Sequence, residues 1–568
     1  MSASQSNLSD PQFGYDIVAA TTQASINTTL DEFISNLTQT EVTVCFVDNG
    51  SGTPVTIDYD TLKQQAGADP FAISNGSDPG SNPGLQNLVN LKFLAGFQAQ
   101  IGLPEGIAIN DEPDMITLGD VNAPSTITLL CSTFTVVQYN AGASPAWTSV
   151  SQPSGSPWLF TANVNLSLVT TPQSAYNTLP AAVKQQVSNL GSAAFTVQQL
   201  LFDFSNATLD TMPQIPGVIS GSAAYTGLQD FFVNNYFSVL QQNGQPTLGC
   251  AIMQDVNGGS SLTLTNFSLQ VDPFIPNGQQ VTNPADLSTL NFLCAANGHS
   301  LPPAALFTWN WADDNADEAD FDGVMAINRF TFCAWLANLL SPALTNLCMT
   351  PQIEGGGLSL GIGFVPNAQT QQYGLVVDQP AGGDGFVPVL TFSSTQSASK
   401  NDNYVVSWAN TSCAYTVAST VYFSSNQIKI FTTANLYCDY DIDGAQATGN
   451  LASYSFVNLY TVSVDPSGKL GITNALPKEV PVNLSEQPQI NTWVTIVSFG
   501  FLGDATAKLQ GNLEDAMSGL VADFTNEIQD CLNGPQSWIF PGGKAFVFKD
   551  AGFSNFQDLV AHITYASN

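Results

Sequence analysis

Two histidines, His299 and His562, are the chain's whole supply of imidazole, the side chain whose unperturbed pKa lies nearest neutrality. His299 falls in the loop Asn297-Gly-His-Ser-Leu-Pro302, and His562 in the strand-like end segment Asp558-Leu-Val-Ala-His-Ile-Thr-Tyr565. No GxSxG elbow sets a serine beside either of them, so a Ser-His-Asp hydrolase is the weakest reading. The densest cluster of ligand-type side chains is Trp309-Asn-Trp-Ala-Asp-Asp-Asn-Ala-Asp-Glu-Ala-Asp-Phe-Asp-Gly323, with Asp313, Asp314, Asp317, Glu318, Asp320 and Asp322. Its start resembles a calcium loop. The sixth position, where that loop needs glycine, is Glu318, and the twelfth is Val324 rather than glutamate, so an EF-hand is excluded. An irregular calcium site and a solvated loop that caps the following helix both remain open, and no metal site is assigned.

Other chemistries fare no better. Gly355-Gly-Gly357 leads into the alternating Leu358, Leu360, Ile362 and Phe364; a phosphate loop would have a strand before it and a helix after it, so this is a turn entering a sheet. The nine cysteines, at 45, 131, 250, 294, 333, 348, 413, 438 and 531, include no CxxC pair. Metal knuckles and redox motifs depend on such spacing. Several cysteines sit in apolar runs, such as Val42-Thr-Val-Cys-Phe-Val47, and read as small core residues. No segment presents an obvious pair of glycosidase carboxylates. The sequence therefore predicts a non-enzymatic protein without a cofactor.

The charge balance narrows the partners. The net charge of −34 comes from 45 acidic and 11 basic residues, of which Arg329 is the single arginine. Only 10% of residues are charged, against roughly 25% in ordinary domains. The surface must be built from Ser, Thr, Asn, Gln and Gly. Nucleic acid is excluded as a partner, because phosphate binding requires the Lys and Arg that are scarce here. Anionic membranes would repel the chain near neutral pH, and less so near its pI of about 4.1.

The elements that must position any site fall into two patterns. A helical stripe is predicted from about Tyr15 to Leu37, carrying Val18, Thr22, Ile26, Leu30, Phe33 and Leu37. A second is predicted from about Gly503 to Leu532, carrying Leu509, Leu513, Met517, Leu520, Phe524, Ile528 and Cys531, and ending at Gly534-Pro535. Between them period-two alternation dominates, as in Phe160–Leu168 and Phe93–Ile101, with a bulge expected near Asn266. Several strands follow one another from Tyr404 to Ile472, closing in a hairpin at Asp465-Pro-Ser-Gly468. Shorter helices are expected over Leu228–Leu240 and Arg329–Leu340. The fold class is thus α+β and β-rich. At 568 residues two or more cores are expected, with a boundary near residues 296–323. The polar amino terminus lacks the parts of a signal peptide, and no run approaches 18 apolar residues. Cytoplasmic synthesis without a spanning helix is expected; any release would take a non-classical route.

Two amphipathic helices can simply cover a sheet. An apolar stripe wrapped by a curved sheet also makes an elongated tube suited to acyl chains, whose transfer from water gains about 0.8 kcal/mol per buried CH₂.

Both ends of the chain carry a resemblance. The opening Phe13-Gly-Tyr-Asp-Ile-Val-Ala-Ala-Thr-Thr-Gln-Ala-Ser-Ile-Asn-Thr-Thr-Leu30, and the ending from Trp538-Ile-Phe-Pro-Gly-Gly-Lys-Ala-Phe-Val-Phe-Lys-Asp-Ala-Gly-Phe-Ser-Asn555 to Thr564-Tyr565, resemble the forty-seven-kilodalton accessory-protein family. That family is encoded beside the OrfX proteins in clostridial neurotoxin clusters and has insecticidal relatives. The resemblance implies a TULIP (tubular lipid-binding) fold: long amphipathic helices wrapped by curved antiparallel sheets, in two modules, 1–300 and 301–568. It implies lipid or another apolar ligand as partner, a toxin-accessory or insecticidal role, other toxin-cluster proteins as partners, and no catalytic residues. The ligand-binding stripe would then be Val18, Ile26, Leu30, Phe33, Leu37, Leu509, Leu513, Met517, Leu520, Phe524 and Ile528. A structural or self-assembling protein without lipid cargo is the alternative. The scarcity of Lys and Arg sets anionic headgroups at a disadvantage.

Overall fold

The computed structural model describes residues 2–566 apart from 38–40, 52, 108–111, 120–123, 142–144, 191–194, 245, 255–261, 276–286, 313–320, 356–360, 368–371, 378–380, 404–407, 443–444, 475–481, 484–504, 506 and 516–537. Its backbone is β-rich, and every ladder is antiparallel.

A central sheet joins distant parts of the chain. Strand β1 (Ile17–Thr22) lies between β2 (Thr289–Ala296) and β3 (Gly323–Ile327). Leu264–Asp272 pairs with β2 on its far side, with the expected irregularity between Leu264 and Asn266. Beyond β3 comes the closing strand Leu559–Tyr565, and beyond that Phe546–Phe548. All six residues of β1 are buried. Ile17 and Ala19 face one core, shared with the carboxy-terminal half; Val18 and Ala20 face another, built on Trp309, Trp311, Phe13 and Tyr15.

This corrects the first helical stripe. The segment from Tyr15 to Thr22 is not helical; helix α1 runs Gln23–Ser35, with the Thr22 hydroxyl capping it by accepting from the Ser25 amide. A strand buried on both faces shows no period-two alternation, so nothing in its pattern opposed the helical reading. The long amphipathic helix shortens to 13 residues.

The amino-terminal half packs α1 and helix α2 (Val233–Gln242) between two sheets. One holds Pro54–Ile57, Glu41–Asp48, Phe93–Ile101, Cys131–Asn140 and Ala146–Ser151 in that order; the other holds Ile539–Pro541, Gly249–Gln254, Phe195–Thr211, Phe160–Thr170, Ser125–Leu129 and Ile116–Thr117. A π-helical turn, Leu228–Phe232, leads into α2. It follows Gly227, where a Cβ would stand 2.6 Å from the Phe46 ring; only glycine lets that turn approach the sheet so closely.

In the carboxy-terminal half four long strands, β4 (Val387–Asn403), β5 (Trp408–Ser424), β6 (Gln427–Ile442) and β7 (Ala445–Val464), form a meander of 16–20 residues per strand. At about 3.4 Å per residue each spans roughly 55–70 Å. Alternation is strict on β5: residues 413, 415, 417, 419, 421 and 423 are buried and those between them are not. The hairpin predicted at Asp465–Gly468 joins β7 to Leu470–Asn474, with the Asp465 carboxylate accepting from the Ser467 and Lys469 amides. Helix α3 (Arg329–Thr345) covers part of the inner face.

Candidate functional site

The inner face of the meander is apolar and buried in one continuous core. From β5 it presents Cys413, Tyr415, Val417, Val421 and Phe423; from β6, Ile428, Ile430, Ala434, Leu436, Cys438 and Tyr440; from β7, Leu451, Ala452, Tyr454, Phe456, Tyr460 and Val462. Two helical pieces lie on it. Helix α3 contributes Phe332, Cys333, Leu336, Ala337, Leu340 and Leu344, all buried. The second expected helix is described over residues 507–515, where Leu509 and Leu513, one turn apart, are fully buried in the same core as Ala505. Met517, Leu520, Phe524 and Ile528 lie outside the described residues. Two of the polar contacts on this face are direct. The Tyr415 hydroxyl donates to the Leu347 carbonyl at 3.0 Å, and the Ser419 and Thr432 hydroxyls meet at 2.8 Å across the ladder.

The amino-terminal stripe is used differently. Ile26, Leu30 and Ile34 are the buried apolar positions of α1, while Phe33 and Leu37 are only partly covered. Ile34 was missed because Phe33 occupies the alternative three-residue step of the same stripe. Val18 belongs to β1 and faces the opposite core. The space beside α1 and α2 is filled by rings: Phe232 stands 4.9 Å from Phe134 and 4.8 Å from Phe160, and Phe237 stacks on Phe204 at 4.2 Å. Two polar residues of α1, unflagged by the sequence, fix its position. Asn27 exchanges two hydrogen bonds with the Ile116 backbone, at 2.7 and 3.0 Å, and Gln23 accepts from the Leu118 amide at 2.8 Å. They act as substitute edge strand for Ile116–Thr117.

Among the described residues, the lysines near the two stripes are paired with carboxylates. Lys508 faces Glu354 at 3.8 Å, Lys544 pairs with Glu32 at 2.6 Å, and Lys429 pairs with Asp384 at 2.5 Å. Lys429 also lies 4.0 Å above the Phe386 ring, in an open cleft of 410 Å³. Arg329 is buried at the start of α3 and donates to Gln557.

No family model matches the chain, and neither does any curated protein. Solved structures do. The chain is similar to P47 from Clostridium botulinum A2. That similarity has 10% identity and a TM-score of 0.42, over 97% of this chain and 98% of the other. A lipopolysaccharide binding protein is also similar, at 10% identity and a TM-score of 0.31, over 97% of this chain and all of the other.

The histidines stand in structural settings. His299 Nδ1 lies 2.9 Å from Asp16, which also accepts from the Ala296 amide and from the Thr331 hydroxyl. The hydroxyl is thus bound to the carboxylate rather than to the imidazole, the reverse of a nucleophile–base order. His562 Nδ1 lies 2.7 Å from Asp550, whose carboxyl it holds below the usual range, and its ring packs on Phe321 at 4.1 Å. A 290 Å³ cleft beside it is lined by Ser2, Ser4, Trp311, Asp550 and Phe553; neither serine is hydrogen-bonded to the imidazole there. In the acidic cluster, residues 313–320 lie outside the described residues, while Asp322 accepts from Thr564 and the Tyr565 amide and so anchors the closing strand. Among the described residues no three His, Cys, Asp or Glu side chains converge as metal ligands. Nor is any described helix long and apolar enough to cross a membrane.

Proposed function

We propose that this protein is a non-enzymatic carrier of lipid or another apolar ligand, built as two TULIP-like modules, 1–300 and 301–568, that share the central sheet as their seam. The observation that carries the reading is the inner face of the meander: strands of 16–20 residues present an apolar surface as long as an extended acyl chain or longer, overlain by α3 and the helical residues 507–515. Burying a chain of sixteen methylenes there would gain on the order of 10 kcal/mol before binding costs are subtracted. The stripe from Leu509 and Leu513 onward through Met517, Leu520, Phe524 and Ile528 is the proposed binding surface. Ile26, Leu30, Phe33 and Leu37 of the opposite half would support the fold and a second, shorter contact, while Val18, on β1, faces a separate core and serves the fold alone.

The cargo we infer is neutral. Each of the lysines nearest these helices faces a carboxylate, so little positive charge is free to hold a phosphorylated headgroup. A toxin-accessory or insecticidal role, with other toxin-cluster proteins as partners, rests on the resemblance of the two chain ends. Extraction of the purified protein into organic solvent, followed by mass spectrometry, tests the carrier reading. Stoichiometric neutral lipid is expected; an empty protein that also takes up no fluorescent acyl probe would overturn it.

A second reading, a protein-interaction component without lipid cargo, is favoured by one feature. The edge strand Gln372–Leu375 and the residues after it leave Tyr373, Leu375 and Val377 exposed, and an apolar strand edge is a template for pairing.

A further inference from the structure

The eight described cysteines are all buried and none is in a disulfide, and two of them are direct partners across the ladder of β5 and β6: Cys413 stands opposite Cys438. The kind of pair follows from the turn. Ser424 and Gln427 flank the two-residue turn Ser425-Asn426, and so close a pair must exchange both backbone hydrogen bonds. The register from there to Cys413 runs one for one without a shift. Since bonded and non-bonded pairs alternate, and Cys413 lies an odd number of residues from Ser424, its pair is of the non-hydrogen-bonded kind, with Cα atoms about 4.5 Å apart. A disulfide spans Cα separations of about 4.4–6.8 Å. The next residues in the same row are Ala398 on β4 and Gly449 on β7, so no bulky neighbour wedges the thiols apart.

We infer that Cys413 and Cys438 form an oxidisable dithiol, which a small peroxide converts to a cross-strand disulfide that staples the meander. The two thiols are hydrogen-bonded to each other, which lowers the pKa of Cys413 and raises that of Cys438. Cys413 is accordingly the sulfur that reacts first. Its thiolate attacks one peroxide oxygen, giving the sulfenic acid and one water. The Cys438 sulfur then displaces the hydroxyl, forming the S–S bond and a second water, so both electrons of the dithiol end on the peroxide. Cys45, Cys250 and Cys333 are poor competitors, because burial pushes each up to about 12. None of those three faces another cysteine in the ladders.

The test uses the full chain, treated natively with hydrogen peroxide, then alkylated in denaturant and digested without reductant. The expected product is one linked peptide pair joining Cys413 to Cys438, lighter by two hydrogens and separated by dithiothreitol. Its formation should raise the thermal midpoint by several degrees, and C413A should show neither the linkage nor the rise. Recovery of both cysteines as separate alkylated or over-oxidised peptides, or linkage through other cysteines instead, would overturn the inference. The peptide map of the wild-type chain decides it even if C413A folds poorly.

Discussion

Asp558 is where the two ends of the chain meet. Its fully buried carboxylate accepts from the Ser6 hydroxyl at 2.8 Å, the Leu8 amide at 2.6 Å and the Arg329 amide at 2.9 Å. Asn328, one residue earlier, donates to the Leu8 and Tyr15 carbonyls. Replacing Asp558 by alanine would leave three buried donors without their acceptor and the buried Arg329 without its neighbouring carboxylate, at a cost of about 3–5 kcal/mol. Differential scanning fluorimetry should show a large fall in thermal midpoint, whereas loss of a surface pair such as Lys63–Asp60 should hardly register. Protonation at this scale has a definite sign. Burial, opposed in part by hydrogen bonds, raises Asp272 to about 7 and Asp558 to about 6; burial and then the nearby Glu112 and Asp114 raise Asp31 to about 6. A carboxyl raised in the folded state holds a proton there that the unfolded chain, titrating near 4, has released. Stability should therefore grow as pH falls from about 7 to about 4. Below that it should fall, as carboxyls held low, Asp550 among them, are neutralised. Thermal midpoints across this range would check it, and D272N should flatten the upper part of the curve.

At the scale of elements, Gly227 and its π-helical turn set how closely the helix entering α2 approaches the sheet. Gly227→Ala would drive a methyl into the Phe46 ring and should cost about 1–3 kcal/mol. F46L in the same chain should recover part of that loss, read as the denaturant midpoint at unchanged slope. Elements also show what the residues alone disclose. The strands Phe93–Ile101 and Phe160–Thr170, the bulge near Asn266 and the turn at Asp465–Gly468 were legible, because alternation and turn chemistry are local. The junction at Thr22 was not. Ile17-Val-Ala-Ala-Thr-Thr22 is buried on both sides, so it offers a helix template as many matches as a strand; its β-branched Ile17, Val18, Thr21 and Thr22 were the signal for β1. Asn27 and Gln23 were illegible for another reason: their partner Ile116–Thr117 is a short strand far away in sequence, and only the fold brings it alongside α1. The Cys413–Cys438 pairing was equally hidden, since no spacing rule connects positions on neighbouring strands.

Across the whole molecule, the early and late segments of the chain are built into its sheets. Phe13 to Leu30 supplies β1 and most of α1, and Trp538 to Tyr565 supplies the edge strand Ile539–Pro541 and the closing strand. With a net charge of −34 and its lysines largely facing carboxylates, the protein should approach anionic vesicles poorly at pH 7. It should approach them better near its pI of about 4.1; vesicle flotation would read this, and a flat response would remove charge from the account. Photocrosslinking with a neutral lipid that carries a diazirine in its acyl chain would read occupancy of the inner face. Adducts are predicted on the inner-face peptides of β5, β6 and β7 and on the helix containing Leu509 and Leu513. Labelling confined to surface peptides, at the level given by an unrelated soluble protein, would contradict a lipid-filled interior.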